Sequence, residues 1–306
     1  MTLQQLKYII QIVESGSMNA AAAKLYISQP SLSNAVKELE KEMGIHIFLR
    51  TNKGLLLSEE GEKFLGYARQ VIEQADLLEQ QYKGTTPRRR VFSVSTQHYA
   101  FAVNAFVNLI KTYDASEYEF TLRESQTYEI IEDVKQLRSE LGIIYLSNFN
   151  EKVLTKLIKE SGLSFHLLFK AYPHIFVSTQ NPLSKLKQVT LEDLTPYPCL
   201  SYEQGTVNSF YFSEELHSTV YHPKSIVVSD RATLFNLLIG LNGYTISSGI
   251  LSEDLNGGNI VSVPLISDEI MRIGYIKQSH LGLSPVSTEY LNELKQYIRS
   301  YNIAIN

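Results

Sequence analysis

SMNAAAAKLYISQPSLSNAVKELEKEMGIHIFLR, residues 17–50, reads as a helix, a three-residue break and a second helix that stops at Gly44. Ser17 and Ser28 are good N-caps, because a hydroxyl accepts from the orphan amides of a first turn. Between them, Ala20 to Leu25 is small and apolar, so a second helix can cross it closely. Pro30 is tolerated where the early amides have no intrahelical partner. Short helix, tight turn and short helix is the way many proteins present a reading helix to the DNA major groove.

The second helix has two faces. Leu32, Val36, Leu39 and Met43 recur at four, three and four, one buried stripe. The opposite face carries Ser31, Ser33, Asn34, Lys37 and Lys41, with Gln29 and Pro30 at the N-terminal tip. Hydroxyls and amides suit base edges, while lysine suits phosphate. The competing reading is the solvated face of an ordinary three-helix core, since Glu38, Glu40 and Glu42 share the helix.

The flanks extend the pattern. Thr2 and Gln5 have capping-box spacing, and Leu3, Leu6, Ile9, Ile10 and Val13 form the stripe of a first helix. Ile45 to Leu49 is strand-like, Asn52-Lys53-Gly54 is a turn, and Leu55 to Leu57 returns as a partner strand. This hairpin wing places Arg50, Thr51 and Lys53 toward phosphate or the minor groove. For Arg50 a surface salt bridge is the alternative.

Outward from the motif, 306 residues leave room for two or three domains. Apolar content of 44% with 20% charged residues describes an ordinary globular chain. It shows neither an 18-residue apolar run nor a secretory signal, and its one cysteine, Cys199, suits a reducing cytoplasm. The net charge of −4 divides into +2 over residues 1–90 and −6 over the rest. So small a basic excess implies that tight DNA binding needs several copies.

Ser58 caps the next helix, whose Phe64, Leu65, Ala68, Val71, Ile72, Ala75, Leu78 and Tyr82 alternate at three and four. That narrow seam is a pairing signature, longer than the small preceding domain can cover. Gly84 ends it, and Arg88-Arg89-Arg90 either solvates a hinge or touches DNA. From Val91 strands and helices alternate, which argues for a parallel sheet covered on both faces. Strands are expected at 91–95, 118–123 and 142–146, then at 174–178, 199–202, 224–228 and 244–247, with helices after Gly205 and Asp230. A returning strand at 271–276 and a closing helix at 287–301 complete the fold. The expected division is 1–58, a winged helix-turn-helix; 59–90, a linker helix and hinge; 91–163 with 268–306, lobe I; and 164–267, lobe II.

In open α/β sheets a ligand sits at the carboxyl ends of strands, near helix N-termini. That rule selects Ser95, Thr96, Gln97, His98, Ser125, Gln126 and Thr127 from one lobe. From the other it selects Ser201, Tyr202, Gln204, Gly205 and Thr206. These hydroxyls and amides suit a small polar anion such as an amino-acid carboxylate, and they include no metal-ligand set. Each hydroxyl is also a plain helix cap in the alternative reading, and His98 either meets ligand or closes a surface loop. Cys199 suits buried packing, with redox sensing as the alternative. Asp230-Arg231 reads as a cap with a local ion pair, and Asp254 to Asn259 reads as a turn without metal-loop spacing. The nucleophile elbow, phosphate loop, H-E-x-x-H and C-x-x-C motifs are missing, so no enzyme and no cofactor is expected.

The order of residues in 1–65, and more loosely the whole chain, resembles LysR-type transcriptional regulators. That resemblance implies an α/β chain with an N-terminal all-α winged helix-turn-helix and a two-lobed α/β effector domain of periplasmic-binding-protein type. It implies a cytoplasmic homotetramer, a dimer of dimers that binds and bends double-stranded promoter DNA and responds to a small molecule between the lobes. FSVSTQHY, ELGIIYLSN and SDRATL further resemble Gram-positive members that control sulfur amino-acid or methionine supply. A redox-gated regulator and a solute-binding or metabolic protein using the helix-turn-helix for assembly are the alternatives.

Overall fold

The computed structural model describes residues 1–305 except 52–53, 84–89, 114–117, 206, 208 and 252–256. Lys53, Thr206, Arg88, Arg89 and Asp254 to Asn256 therefore lie outside the described residues. The chain divides into two compact units, Met1–Arg89 and Arg90–Asn306. Among the described residues no helix is long and apolar enough to cross a membrane.

The first unit opens with α1 (Leu3–Ser15), α2 (Met18–Lys24) and α3 (Gln29–Met43). Thr2 and Gln5 form the expected capping box; Ser17 accepts from the Ala20 amide and Ser28 from that of Ser31. Gly44 ends α3 at φ +70°, a left-handed conformation natural to glycine. Ile9, Ala21, Leu32, Leu39 and Ile47 are fully buried together. Strands β1 (Phe48–Thr51) and β2 (Gly54–Leu57) pair antiparallel as the wing. The first strand begins at Phe48 and not at Ile45, because the Glu40 carboxylate accepts the Ile47 and Phe48 amides at 2.7 and 3.1 Å. Helix α4 (Glu59–Lys83) follows from the Ser58 cap, whose hydroxyl accepts the Gly61 amide. Its first half is packed through Leu65 and Ala68, while Val71 and Leu78 stay exposed.

The second unit has two five-stranded sheets. Lobe I contains β3 (Arg90–Thr96), α5 (Ala100–Thr112), β4 (Tyr118–Glu124), α6 (Thr127–Lys135), β5 (Leu141–Leu146), α7 (Glu151–Glu160) and β6 (Leu163–Ala171). Lobe II contains β7 (His174–Ser178), α8 (Leu191–Leu194), β8 (Cys199–Tyr202), β9 (Ser225–Val228), α9 (Arg231–Gly240), β10 (Tyr244–Ser247) and β11 (Ile260–Pro264). Strand β12 (Met271–Gln278) and α10 (Pro285–Arg299) return to lobe I. Strand order is β4-β3-β5-β12-β6 in one sheet and β11-β7-β10-β8-β9 in the other.

The sheets are mixed, which corrects the expectation of a parallel one. Strands β3, β4 and β5 are parallel, but β12 runs antiparallel to β5 and β6, and β7 antiparallel to β10 and β11. The antiparallel strands are those that follow the crossings between lobes, where the chain re-enters a sheet without a covering helix. Strand β6 is a second difference. The sequence boundary assigns 164–171 to lobe II, yet this strand pairs with β12 along its whole length in lobe I. Along β5, Leu141, Ile143 and Tyr145 face one core while Ile144 and Leu146 face the other. Both faces of that sheet are thus covered, the reason its sequence is an unbroken apolar run.

Candidate functional site

On the N-terminal unit, Pro30, Ser31, Asn34 and Lys37 are exposed along α3 and Gln29 is half-buried at its tip. Ser33 is corrected: it is only 9% exposed and lies beside Leu32 on the core side. A 100° step per residue places it at the edge of the apolar stripe, where the helix crossing covers a small side chain. Two of the three acids on α3 are spoken for. Glu40 holds the wing amides, and Glu42 pairs with the N-terminal ammonium. Arg50 and Thr51 stand in the hairpin ladder opposite Leu55 and Gly54. Tyr26, 96% exposed with φ +55° in the turn before α3, was not singled out from sequence. Its signal was an aromatic in a tight turn, where a buried partner is hard to reach.

In the second unit the carboxyl ends of β3, β4, β8 and the start of α9 converge between the lobes. Ser95 is not there. It is fully buried, donating to Asp133 at 2.6 Å, and Asp133 in turn accepts from Arg138. Side chains alternate along a strand, so Ser95 faces α6 while Val94 before it packs into the opposite core. Thr96 is also fully buried, its hydroxyl bonded to the Gln97 carbonyl. Ser125 and Gln126 are half-buried, and Ser201 lies at the end of β8. Gln126 packs across the lobes onto Gly205, where an added Cβ would lie 2.2 Å from its amide oxygen.

Among the described residues no α-helix lies between Gly205 and β9, contrary to the expectation. In its place Ser209 to His217 forms an irregular strap around one 3-10 turn, Phe210–Phe212. Phe212 leaves lobe II and is buried among Ile130, Ile131, Leu154 and Ile158 of lobe I. All three residues of that turn are aromatic, and burying the Phe212 ring anchors the segment on lobe I. Lobe I grips the strap further. Gln97 donates to Thr127 at 2.6 Å, and Thr127 donates to the Phe212 carbonyl at 2.7 Å. The Tyr145 hydroxyl reaches the Ser213 and Glu215 carbonyls.

The strap also brings two buried carboxylates into the cleft. Glu214 accepts from the His98 backbone amide at 2.9 Å and lies 3.0 Å from its Nδ1. The His98 ring stacks on Tyr202 of lobe II at 3.9 Å and 7°, so it does not close a surface loop. Glu215 accepts from the Tyr202 amide at 2.9 Å. Arg231 stands 3.1 Å from Glu124 of lobe I, a contact across the cleft and not the local pair expected; Asp230 does cap α9. Sequence reading missed Glu124, Glu214 and Glu215, because neither a single glutamate nor an adjacent pair carries a positional signal in a chain of 32 acids.

Charge in this space is balanced internally. Burial pulls the His98 imidazole down, but the hydrogen bond and charge of Glu214 outweigh it and the net shift is upward. Burial, reinforced by Glu214 beside it, pushes Glu215 up to about 8, so it keeps its proton at neutral pH. Burial raises Glu124 against the opposing pull of Arg231. Only about 20 Å³ is left between His98, Tyr202, Glu214 and Arg231, room for one water molecule. A second cavity of about 650 Å³ lies in lobe II beyond Tyr202, Glu215 and Ile246, which wall both spaces. Cys199 is buried, and burial pushes its thiol up to about 11. Among the described residues no group of three His, Cys, Asp or Glu side chains could hold a metal ion.

Comparison with known proteins gives consistent matches. Residues 3–62 match the model of the bacterial regulatory helix-turn-helix protein, lysR family, and residues 86–299 match the LysR substrate binding domain. The chain is 25% identical over 306 residues to the HTH-type transcriptional regulator YnfL of Escherichia coli, spanning 97% of this chain and 99% of that one. It is 23% identical over 256 residues to the HTH-type transcriptional regulator AlsR of Bacillus subtilis, spanning 82% and 78%. A full-length OxyR variant from Pseudomonas aeruginosa has the same fold, with a TM-score of 0.64 at 19% identity, covering 98% of this chain and 95% of that one.

Proposed function

The chain belongs to the LysR family of bacterial helix-turn-helix regulators, and from that premise we propose that it switches transcription in response to a small polar metabolite taken up between its two lobes. It is a DNA-binding regulator with a substrate-binding domain, and its relatives are transcriptional regulators. The finer reading is carried by one observation: His98–Glu214 and Glu124–Arg231 pair charges across the lobes at the strand ends. A ligand with its own charges exchanges with these pairs, and lobe closure then follows its differential affinity for the two arrangements. The resemblance of FSVSTQHY, ELGIIYLSN and SDRATL to sulfur amino-acid regulators directs the search to amino acids, their O-acetyl and sulfur intermediates, and small carboxylates.

In this reading the protein is cytoplasmic, Gln29, Pro30, Ser31, Asn34 and Lys37 meet the major groove, and Arg50, Thr51 and Lys53 meet the backbone. The exposed Val71 and Leu78 of α4 support pairing of two copies through that helix, the first step to a dimer of dimers. The redox alternative is weak, because burial pushes the Cys199 thiol up to about 11 and a protonated thiol is a poor nucleophile. The test is a dye-based thermal-shift screen of that metabolite panel, repeated with Arg231→Ala. A ligand that raises the wild-type midpoint and fails with the variant supports the cleft. A ligand whose effect survives Arg231→Ala and His98→Ala places the effector elsewhere.

A further inference from the structure

We propose that the seat formed by the His98 amide and imidazole is the effector's carboxylate site, and that Glu214 occupies it as a tethered stand-in which the effector displaces. This rests on the cleft reading above. The seat is built for two oxygens: one Glu214 oxygen meets the backbone N–H at 2.9 Å, and both lie 3.0 Å from Nδ1. It stands at the end of β3 and just before α5, whose first turn lacks a side-chain cap. Both partners are deeply buried, their side chains 4% exposed. A carboxylate held on a backbone amide and an imidazole is a charge-assisted contact that an exogenous carboxylate can reproduce.

Two further observations point to displacement and not to simple addition. The space beside the seat has room for about one water molecule, too little for an effector next to Glu214. Arg231 lines the same space; among the described residues its buried Nη1 has no hydrogen-bond partner, and its Nε meets only the Glu124 oxygen 3.1 Å away. Nη1 is a donor available to a second oxygen of a ligand that brings its carboxylate to His98. Glu214 belongs to a chain segment anchored on lobe I by Phe212 and Tyr145. Its eviction therefore loosens the latch between lobes. Tethering sets the competitor's effective concentration on the order of millimolar or above, so wild-type affinity for a bare carboxylate is low.

The experiment uses the full chain and sodium acetate as the probe, with sodium chloride at equal ionic strength as the control. Glu214→Ala empties the seat, and acetate should then raise its thermal midpoint by about 2–4 °C while leaving the wild type unmoved. Adding His98→Ala should abolish the rescue. Glu214→Gln, which keeps the shape and gives up the charge, is the second variant should the alanine fail to fold; acetate should stabilise it more than wild type. Acetate acting equally on wild type and variants, or on none, overturns the tether. If a metabolite that needs Arg231 binds wild type and Glu214→Ala with the same affinity, the cleft stands and the tether falls. Binding that ignores Arg231 and His98 removes the cleft itself.

Discussion

Glu215 shows how one buried residue makes stability depend on pH. Its carboxyl is raised to about 8 in the folded chain from an ordinary 4.5, by burial and by Glu214; Tyr145 and Tyr202 face the same space, and Glu269 acts on Tyr145. Below 4.5 both states hold the proton and the contribution is complete. Between 4.5 and 8 the unfolded chain releases a proton that the folded chain keeps, so stability falls as pH rises. His98, also raised, acts in the same direction. The expected slope is a loss of about 1.4 kcal/mol per pH unit approaching pH 8. Denaturant melts of wild type and Glu215→Gln at pH 6, 7 and 8 check it, and equal slopes would refute the assignment. Gly61 gives a steric counterpart, since a Cβ there would sit 2.1 Å from the Ile47 carbonyl oxygen. Gly61→Ala should lower the stability of the N-terminal unit by about 1–3 kcal/mol, read from its urea midpoint.

At the scale of elements, α3 and the strap make opposite use of polar residues. On α3 the exposed Asn34 and Lys37 make no side-chain hydrogen bond or ion pair among the described residues. Asn34→Ala and Lys37→Ala should each weaken binding to DNA from upstream of the protein's own gene without changing the melting profile. Lys37→Ala should also reduce the slope of log affinity on log salt by about 1, as expected of a phosphate contact. Full affinity in both variants would move recognition off this helix. Ser33→Ala, at a buried position of α3, should leave base discrimination intact. In the strap, Phe212→Ala removes a buried ring from the lobe I core, at a cost of about 3–5 kcal/mol. Chymotrypsin cleavage at Phe210, Tyr211 or Leu216 should then accelerate more than cleavage elsewhere, and uniform acceleration would count against a strap that opens on its own.

For the whole molecule the central quantity is coupling between ligand and DNA. Two short crossings, 172–173 and 265–270, join the lobes, and the strap bridges them a third time. If the strap is the latch, weakening it shifts the arrangement of lobes before any ligand arrives. Glu214→Gln should therefore change operator affinity in the same direction as the effector does, by several-fold. Reciprocity then requires operator DNA to change effector affinity by the same factor. Gel-shift titrations with and without ligand measure both sides, and a variant indistinguishable from unliganded wild type would separate the strap from signalling. Pairing through α4 belongs to this scale too. Leu78→Glu, on its exposed seam, should turn a concentration-dependent oligomer into smaller species by sedimentation.

The local elements were legible because their signals are local. Caps at Thr2, Ser17, Ser28 and Asp230, the apolar stripe of α3, the wing turn and the doubly buried β5 each follow from spacing within a dozen residues. The strand-end rule likewise selected His98 and Tyr202, whose rings stack, and Gln97 and Thr127, which bond to each other. What sequence could not supply was direction and pairing over long separations. Ser33 and Ser95 sit one residue from useful positions and turn inward, because a single step on a helix or strand reverses the face. Strand β6 pairs with β12 across more than a hundred residues, and Glu214 meets His98 across 116. No local propensity encodes a carboxylate finding a buried imidazole, so only the tertiary structure decided that the cleft carries its own anion.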